Sequence, residues 1–204
     1  MKMKKQLDGK MGDHKWMIEN PLMTTIKFSR FKFASKLISQ NDTLLDIGCG
    51  QGLSSIFFSD YCKFVYGVDL LSDFLNHDRK NIKFIKKSIF NIHKKNFNRK
   101  INIITLIDFI EHFKKSDGAL ILSKCSKLLE KKGGTLIIGT PSVYSSKYRS
   151  KRSKKQHIHE YDGMELKNLC SQYFSRTFLF SMNDELVHTG FYKLAWFNFV
   201  ICIK

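Results

Sequence analysis

The chain has 204 residues, 43% of them hydrophobic, with 35 Lys or Arg against 18 Asp or Glu, which gives a formal net charge of +17. A chain of this length buries one substantial core, and neither a second globular domain nor a repeat array is visible. Because no stretch reaches roughly 18 consecutive apolar residues and no apolar run follows the basic start, we expect neither a membrane span nor a secretory signal.

Five cysteines are scattered along the chain without C-x-x-C spacing. This distribution favours reduced structural thiols over disulfides or a zinc site, and it predicts a cytoplasmic protein. The cysteines are Cys49, Cys62, Cys125, Cys170 and Cys202.

The positive charge is mostly diffuse, because 29 of the 35 basic residues are Lys and they occur along most of the chain. The lysine-rich stretch 79–100 is interpreted as a solvated surface, with contact to a polyanion as the alternative. A denser basic cluster follows the predicted strand at 134–139, and its place in the fold gives it more weight. Its members are Lys147, Arg149, Lys151, Arg152, Lys154 and Lys155.

In chain order, residues 1–40 are expected to contain a disordered start, to about Gly12, and a covering helix at 24–38. This helix would lie on the sheet edge through one apolar face. That face consists of Ile26, Phe33, Ala34, Leu37 and Ile38. Residues 41–204 then form one domain.

Strands and helices alternate through this domain, which predicts an α/β fold with a mainly parallel sheet. The last two strands have no helix between them and should pair antiparallel. The predicted strands are 43–47, 64–68, 82–86, 101–107, 134–139, 176–182 and 195–203. The predicted helices are 53–60, 71–77, 116–129 and 162–173.

The most informative segment is residues 44–52, LLDIGCGQG, in which an apolar strand ends in an acid and a turn with glycine at every second position. Glycine leaves no Cβ over the turn, so the backbone can approach a ligand closely. The next strand ends at Asp69, about 20 residues on, where a carboxylate can accept hydrogen bonds from ribose hydroxyls. Capping of a following helix is the alternative role for Asp69.

This G-x-G-x-G spacing resembles motif I of class I S-adenosylmethionine (SAM) dependent methyltransferases, whereas dinucleotide folds use G-x-G-x-x-G. The resemblance covers residues 40–204 and implies a Rossmann-like fold with a seven-stranded, mostly parallel sheet and an antiparallel last strand. It makes residues 41–204 a SAM-dependent methyltransferase domain. The implied SAM-binding residues are Asp46, Gly48, Cys49, Gly50, Gly52, Asp69, Leu70, Ser88, Ile89 and Asp108.

Ser88 stands where the family more often has Asp beside the adenine, and Asn102 also replaces a commoner Asp. Residues 108–112, DFIEH, resemble the E-x-x-E-H segment of ubiquinone-pathway O-methyltransferases and of small-RNA 3′-terminal 2′-O-methyltransferases. In those families this segment can bind a divalent metal, and a further ligand could come from His157 or His159. The metal hypothesis names Asp108, Glu111, His112 and His159. The alternative places Glu111 near SAM and leaves His112 to pack.

Methyl transfer also requires alignment of the acceptor, and a hydroxyl acceptor must lose a proton. His112, His157 and His188 are the candidate bases, with structural or substrate-binding roles as the alternative. The basic cluster and the polar loop at 181–192 follow strand ends, where α/β folds bind ligands. The first is interpreted as a grip on an anionic acceptor or a surface lid, and the second as a site for sugar hydroxyls or a solvated loop.

The stretch 16–30 and the closing loop are similar to methyltransferases of bacterial surface-polysaccharide gene clusters. We therefore expect a SAM-dependent methyltransferase that acts on an oxygen or nitrogen of a small anionic acceptor, such as a nucleotide-linked or phosphorylated sugar. An RNA 2′-O-methyltransferase is the alternative, although no appended RNA-binding module is visible. A SAM-binding protein without catalysis is a third reading.

Overall fold

A computed structural model describes residues 18–70 and 73–204, so the predicted disordered start lies outside the described residues. The described chain forms one sheet with the strand order β3-β2-β1-β4-β5-β8-β6-β7. The first five strands are parallel, whereas β8 runs antiparallel to both β5 and β6. The strands are β1 Thr43–Ile47, β2 Phe64–Asp69, β3 Ile82–Lys86, β4 Ile103–Ile107, β5 Thr135–Pro141, β6 Arg176–Asn183, β7 Leu186–His188 and β8 Phe197–Ile203.

The sheet has eight strands rather than the predicted seven. The additional strand is β7, which folds back on β6 through a tight turn in which Asp184 has a φ of 52°. Three residues are too few to show a period in the sequence, so this strand was included in the predicted polar loop. The predicted α/β class, mostly parallel sheet and antiparallel last strand are confirmed.

In the part of the chain that the structure describes, five α-helices of six residues or more accompany the strands. The predicted helix at 71–77 is wrong over the described residues 73–77, which form no helix. There the ring of Phe74 stacks on Phe84 with centroids 4.5 Å apart, and Leu75 donates its N–H to the carbonyl of Gln51. These tertiary contacts fix an extended path. The helices are α1 Pro21–Ser35, α2 Leu53–Phe58, α3 Lys115–Leu128, α4 Lys151–Gln156 and α5 Gly163–Ser171.

Helix α1 starts with Pro21 at its first turn, where a missing N–H costs nothing, and ends before Leu37. It covers one face of the sheet rather than an edge, because Phe31 and Ala34 are buried together with Leu44 of β1. Leu37 lies beyond the helix and is 40% exposed, so its predicted place on the apolar face is wrong.

The core is divided by the sheet. One face packs against α3 and α5, and the other packs against α1 and α2. Burial of each large apolar side chain stabilises such a core by roughly 1.5–3 kcal/mol, so both faces hold the strands in register. None of the helices among the described residues is long and apolar enough to cross a bilayer.

The topology brings several chain segments to one edge of the sheet. Strands β1, β2, β4 and β5 are parallel, and β6 has the same direction because both β5 and β6 are antiparallel to β8. The segments that follow these carboxyl ends therefore meet at a common edge, where open α/β sheets bind their ligands.

Candidate active site

The glycine turn between β1 and α2 uses the left-handed backbone at three positions, with φ of 76° at Gly48, 57° at Gly50 and 100° at Gly52. A Cβ on Gly48 would lie 2.2 Å from the Phe109 ring, and one on Gly52 would lie 2.3 Å from the Phe84 ring. A Cβ on Gly50 would meet nothing within 4 Å. Two glycines therefore serve packing, whereas the third faces open space that a ligand can occupy.

Asp69 lies beside that open space. Its Oδ2 accepts the backbone N–H of Gly50 at 2.9 Å, and Gly48 donates its N–H to the carbonyl of Val68 at 2.8 Å. The glycine turn is thus tied to the end of β2. Residues 73–79 form no helix for Asp69 to cap. The Asp69 carboxylate therefore lies next to the Gly50 backbone, which no side chain covers. This arrangement is compatible with a role for Asp69 in accepting hydrogen bonds from ribose hydroxyls.

Asp46 lies beneath the turn rather than in the open space. It is 3% exposed, and its Oδ2 accepts the hydroxyls of Ser54 and Ser55 at 2.6 and 2.7 Å. Its Oδ1 accepts the hydroxyl of Thr105 at 2.8 Å. Burial raises the pKa of Asp46, and these hydrogen bonds lower it in part. Its carboxylate joins β1, α2 and β4, so any effect on SAM would pass through the position of the turn.

The remaining predicted SAM residues differ in accessibility. Cys49 is 7% exposed, and burial raises the pKa of its thiol. Leu70 is 53% exposed. Ser88 caps the following turn by accepting the N–H of Phe90. Ile89 is 3% exposed and packs in the core on the α3 side.

Asp108 follows β4 with a left-handed φ of 53°. Its two carboxylate oxygens accept hydrogen bonds from one nitrogen of Arg30, at 2.8 and 2.7 Å. The Arg30 guanidinium lies 4.0 Å from the centroid of the Phe197 ring. Asp108 was predicted as a SAM or metal ligand, but the structure gives its carboxylate a guanidinium partner.

Lys27 is the second basic residue that α1 brings to the site. Burial lowers its pKa, and the carboxylates of Asp108 and Asp46 raise it in part. Lys27 and Arg30 lie three residues apart and so face the same side of the helix. The sequence offered this i, i+3 pair as a signal, but basic residues are so common in this chain that the signal was not distinctive.

Glu111, His112 and His157 form a group whose potential ligand atoms all lie within 4.8 Å of one another. His159 is not part of this group, since its Nε2 lies 3.1 Å from Glu165 Oε1. The predicted metal set is therefore revised. The structure unites Glu111 and His112 with His157 instead of His159, because the backbone N–H groups of 158 and 159 both bond to the Glu111 carbonyl and turn the chain there.

Glu111 is the buried member of this group, whereas His112 and His157 are half-buried. Glu111 is 1% exposed, its Oε2 accepts the Thr140 hydroxyl at 3.0 Å, and burial followed by the nearby Asp108 raises its pKa to about 8. Burial, then Arg149 and His112, lower the pKa of His157 to about 4. His157 is therefore neutral at physiological pH. A divalent cation would fit these donors but would have to share the site with the Arg149 guanidinium, 2.9 Å from His157 Nδ1.

The orientation of His112 follows from one contact. Its Nδ1 lies 3.1 Å from the carbonyl oxygen of Gln156. A carbonyl can only accept a hydrogen bond, so the neutral ring carries its proton on Nδ1. The Nε2 of His112 then holds the lone pair that a general base needs.

His188 does not join these residues. It lies on β7, where its Nδ1 accepts the N–H of Gly190. Strands β5, β8 and β6 separate β7 from β4. Four inter-strand spacings correspond to about 19 Å. His188 therefore lies apart from the group of Glu111, His112 and His157, which does not include it.

The polar loop that was predicted to meet the acceptor lines a cavity of about 350 Å³ between α5, β6 and residues 189–192. Ser181, Lys167 and Tyr192 are among its walls, and none of the predicted SAM residues is. In the sheet register, Ser181 is opposite Asn198, and Asn198 is opposite Thr140. Asn198 is fully buried with neither amide atom hydrogen-bonded.

The basic cluster is folded against the same edge. Helix α4 begins after Ser150, whose hydroxyl accepts the N–H of Ser153 at 3.1 Å. Arg149 and His157 bracket this helix, and both contact the carboxylate of Glu160. Because Glu160 pairs with Arg149, the remaining positive charge of the basic cluster is on its lysines, which are exposed to solvent.

The glycine turn, the Asp69 carboxylate and the strand order together define the domain of a class I SAM-dependent methyltransferase. The chain belongs to the family described as "Methyltransferase domain", whose profile matches residues 23–183. Among curated proteins, the O-methyltransferase atr3 of Stereocaulon alpinum is 29% identical over 140 residues, which cover 58% of this chain and 39% of that protein. The chain thus spans about two fifths of the curated relative that it matches.

Solved structures agree on the fold. The small RNA methyltransferase HEN1 superposes with a TM-score of 0.68 at 18% identity, over 87% of this chain and 25% of that chain. The N-methyltransferase NodS from Bradyrhizobium japonicum WM9, in complex with S-adenosyl-L-homocysteine, gives 0.63 at 12% identity over 95% and 93%. A SAM-dependent methyltransferase from Archaeoglobus fulgidus gives 0.67 at 16% identity over 94% and 100%. At these identities the likeness establishes the fold alone.

Proposed function

We propose that this chain transfers the methyl group of SAM to an oxygen or nitrogen of a small anionic acceptor, a phosphorylated or nucleotide-linked sugar of surface glycan synthesis. One observation carries the proposal: the open space over Gly50 lies beside the Asp69 carboxylate, at the sheet edge where the basic cluster is also found. An adenosyl group would meet the turn, and an anion would meet lysines.

The residues around the glycine turn fit SAM. Asp69 would accept hydrogen bonds from the ribose hydroxyls, each contributing roughly 1.5–3 kcal/mol as a charge-assisted bond. Gly50 leaves room for the ligand. When bound, SAM would supply a methyl group attached to a positively charged sulfur. The acceptor atom would bond to the methyl carbon as the carbon–sulfur bond breaks, and the rest of SAM would leave as a neutral thioether.

His112 is the residue best placed to take the acceptor's proton. Its Nδ1–H is fixed by the Gln156 carbonyl, so Nε2 is the basic atom. A positioned base of this kind contributes typically 10²–10⁴-fold to the rate. The ring centroid of His157 lies 5.3 Å from that of His112, so His157 would position His112. Because His157 would be neutral, it would not repel the positive charge that His112 gains when it takes the proton.

The acceptor class rests on charge. The exposed lysines of the basic cluster favour an anionic group. The curated relative is an O-methyltransferase and one structural relative is an N-methyltransferase, so both acceptor atoms remain within the proposal.

The decisive experiment compares SAM binding by the wild type and by Asp69→Ala in titration calorimetry. Loss of the ribose acceptor should weaken SAM binding at least roughly tenfold. Asp78→Ala, an exposed acid on the connection between β2 and β3, is the control and should leave the affinity unchanged. Equal SAM affinity in all three proteins would refute the assigned role of Asp69.

The acceptor is tested with methyl-labelled SAM and a panel of phosphorylated and nucleotide-linked sugars. Transfer to a member of the panel is the expected result. Binding of SAM without transfer to the panel or to any cell extract would instead favour a SAM-binding protein without catalysis.

A second candidate is methyl transfer to an RNA 2′-hydroxyl, which the group of Glu111, His112 and His157 favours, together with the likeness to the small RNA methyltransferase HEN1. A divalent cation held by these three residues would polarise the hydroxyl and take over part of the role of the base. Strong salt dependence of RNA binding and loss of activity on chelation would support this candidate. Full activity in a metal-free preparation would eliminate the metal site.

A further inference from the structure

Two exposed aromatic rings stack on each other beside the active-site edge. The rings of Tyr148 and Trp196 are 5.4 Å apart between centroids and inclined by only 2°. Their exposed fractions are 63% and 54%, which is unusual for large aromatic side chains. The pair, hereafter the aromatic platform, therefore presents ring surface to solvent.

The platform is held in place by backbone contacts between distant parts of the chain. Ser142 donates its N–H, and Ser145 its hydroxyl, to the carbonyl of Trp196, at 2.9 and 3.0 Å. The N–H of Trp196 is in turn bonded to Asn183 Oδ1 at 2.9 Å. A preorganised platform loses little conformational freedom when a ligand binds.

Lysines surround one side of the platform. The Lys147 ammonium lies 4.8 Å from the Tyr148 ring, and Lys154 reaches the Lys147 carbonyl from α4. Lys151 and Lys155 are also exposed on α4. The sequence between Pro141 and Glu160 contains six Lys or Arg and no acid. An anionic group beside the platform would therefore meet several ammonium groups and no carboxylate within this segment.

Two acidic residues follow the residue that holds Trp196, whereas the lysines lie in the segment that contains Tyr148. Asp184 and Glu185 are exposed in the turn after Asn183, the residue that holds the Trp196 backbone. The lysines beside Tyr148 would attract the charged end of a ligand that has a flat ring at one end and negative charge at the other. The ring would stack on the platform, and the negative end would point toward α4.

We propose that the aromatic platform and the lysines Lys147 and Lys154 bind the nucleobase and phosphates of a nucleotide-linked acceptor. The inference rests on the proposed function and names its substrate class. Single-stranded nucleic acids are bound by several stacking positions in succession along a basic groove. The stacked pair of Tyr148 and Trp196 suits one base and its attached phosphates.

The chain also connects this subsite to the catalytic group. Ser142 follows β5 directly, and its carbonyl accepts a hydrogen bond from Arg149, which contacts His157. A base on the platform would therefore leave the attached sugar directed toward the sheet edge that carries Glu111 and His112. The platform would act in binding, and the histidines in chemistry.

Trp196 provides its own readout, because the chain has only one other tryptophan, Trp16. In a Trp16→Phe background, titration with UDP or GDP should quench Trp196 fluorescence to saturation. Tyr148→Ala and Lys147→Glu should each raise the dissociation constant at least roughly tenfold, since one removes a stacking surface and the other a phosphate contact. Lys132→Glu, on the exposed turn before β5, makes the same charge change elsewhere and should have little effect.

Three results would overturn the proposal: no quenching by nucleoside diphosphates at millimolar concentration, pyrophosphate competing as well as UDP, or single-stranded RNA binding that tightens with length and falls steeply with salt. The last would assign the surface to nucleic acid. SAM affinity, measured on the same variants, should not change. A wild type that binds nucleotides but not SAM would refute the proposed function and leave the platform standing.

Discussion

Arg30 on α1 holds both carboxylate oxygens of Asp108, the residue that follows β4, at 2.8 and 2.7 Å. The two residues are 78 positions apart in the sequence. This contact joins the covering helix to the catalytic edge of the sheet and fixes a residue whose φ of 53° is unfavourable without glycine.

The Arg30–Asp108 pair should show a measurable coupling in a double-mutant cycle. The two side chains are only 18% and 28% exposed, so removing one partner leaves a poorly solvated charge. We expect Arg30→Met and Asp108→Asn to have non-additive effects on the free energy of unfolding in urea, with a coupling of about 1–3 kcal/mol. The exposed Arg79–Asp60 pair, 37% and 57% exposed, is the control and should couple far less. Additive effects at Arg30 and Asp108 would show that the contact contributes nothing.

Gly50→Ala should impair SAM binding without unusual loss of stability. A methyl group there meets no protein atom within 4 Å but enters the open space beside Asp69. Gly133→Ala is a matched control, because Gly133 has a similar left-handed φ of 74° and also has nothing within 4 Å of the added Cβ. Both variants should lose about 1 kcal/mol of stability from the backbone conformation. Only Gly50→Ala should lose SAM affinity in calorimetry, and equal affinity in the two variants would place SAM elsewhere.

Glu111 should make the stability of the protein depend on pH. Its pKa in the folded chain is raised from the usual 4.5 to about 8, so the folded state holds a proton that the unfolded state releases. Its contribution is complete below about pH 4.5 and is lost as the pH rises through about 8. The advantage of the wild type over Glu111→Gln in urea unfolding should therefore shrink across this range. Glu185→Gln, on the exposed hairpin turn, should show no such trend, and a pH-independent difference for Glu111→Gln would contradict the shifted pKa.

His112→Gln should lower kcat by roughly 10²–10⁴-fold with the best acceptor of the panel, because it removes the Nε2 lone pair. SAM affinity should stay the same, since His112 belongs to the group around Glu111 and not to the glycine turn. His188→Gln, on the far strand β7, should retain nearly full activity. If His188→Gln were the inactive variant, the histidine assignments would have to be exchanged.

Much of the fold could be predicted from local patterns. The mostly apolar segment 43–47 became a fully buried strand at that position, because a strand covered on both faces has little room for polar side chains. The segment 82–86 became an edge strand, on which Lys83 and Lys86 are exposed. Residues 44–52 predicted the glycine turn, since alternate glycines permit the left-handed backbone seen there. The helix predicted at 71–77 is absent over the described residues 73–77, where Phe74 stacks on Phe84 instead.

The candidate site was less predictable, because its contacts join residues far apart in the sequence. The metal hypothesis named His159, with His157 as an alternative ligand, and only the bend at the Glu111 carbonyl brings His157 rather than His159 into the group. Arg30, Lys27 and the Trp196–Tyr148 stack left no pattern that stood out in a lysine-rich, aromatic-rich chain.

The sequence by itself determined the class of the protein, because backbone conformation at the glycine turn and burial of the strands depend on residues close together along the chain. The tertiary structure alone decided which charges meet, which histidines face one another and which aromatic rings remain exposed. Those properties depend on strand order and helix placement, which set distances between residues that no local spacing encodes.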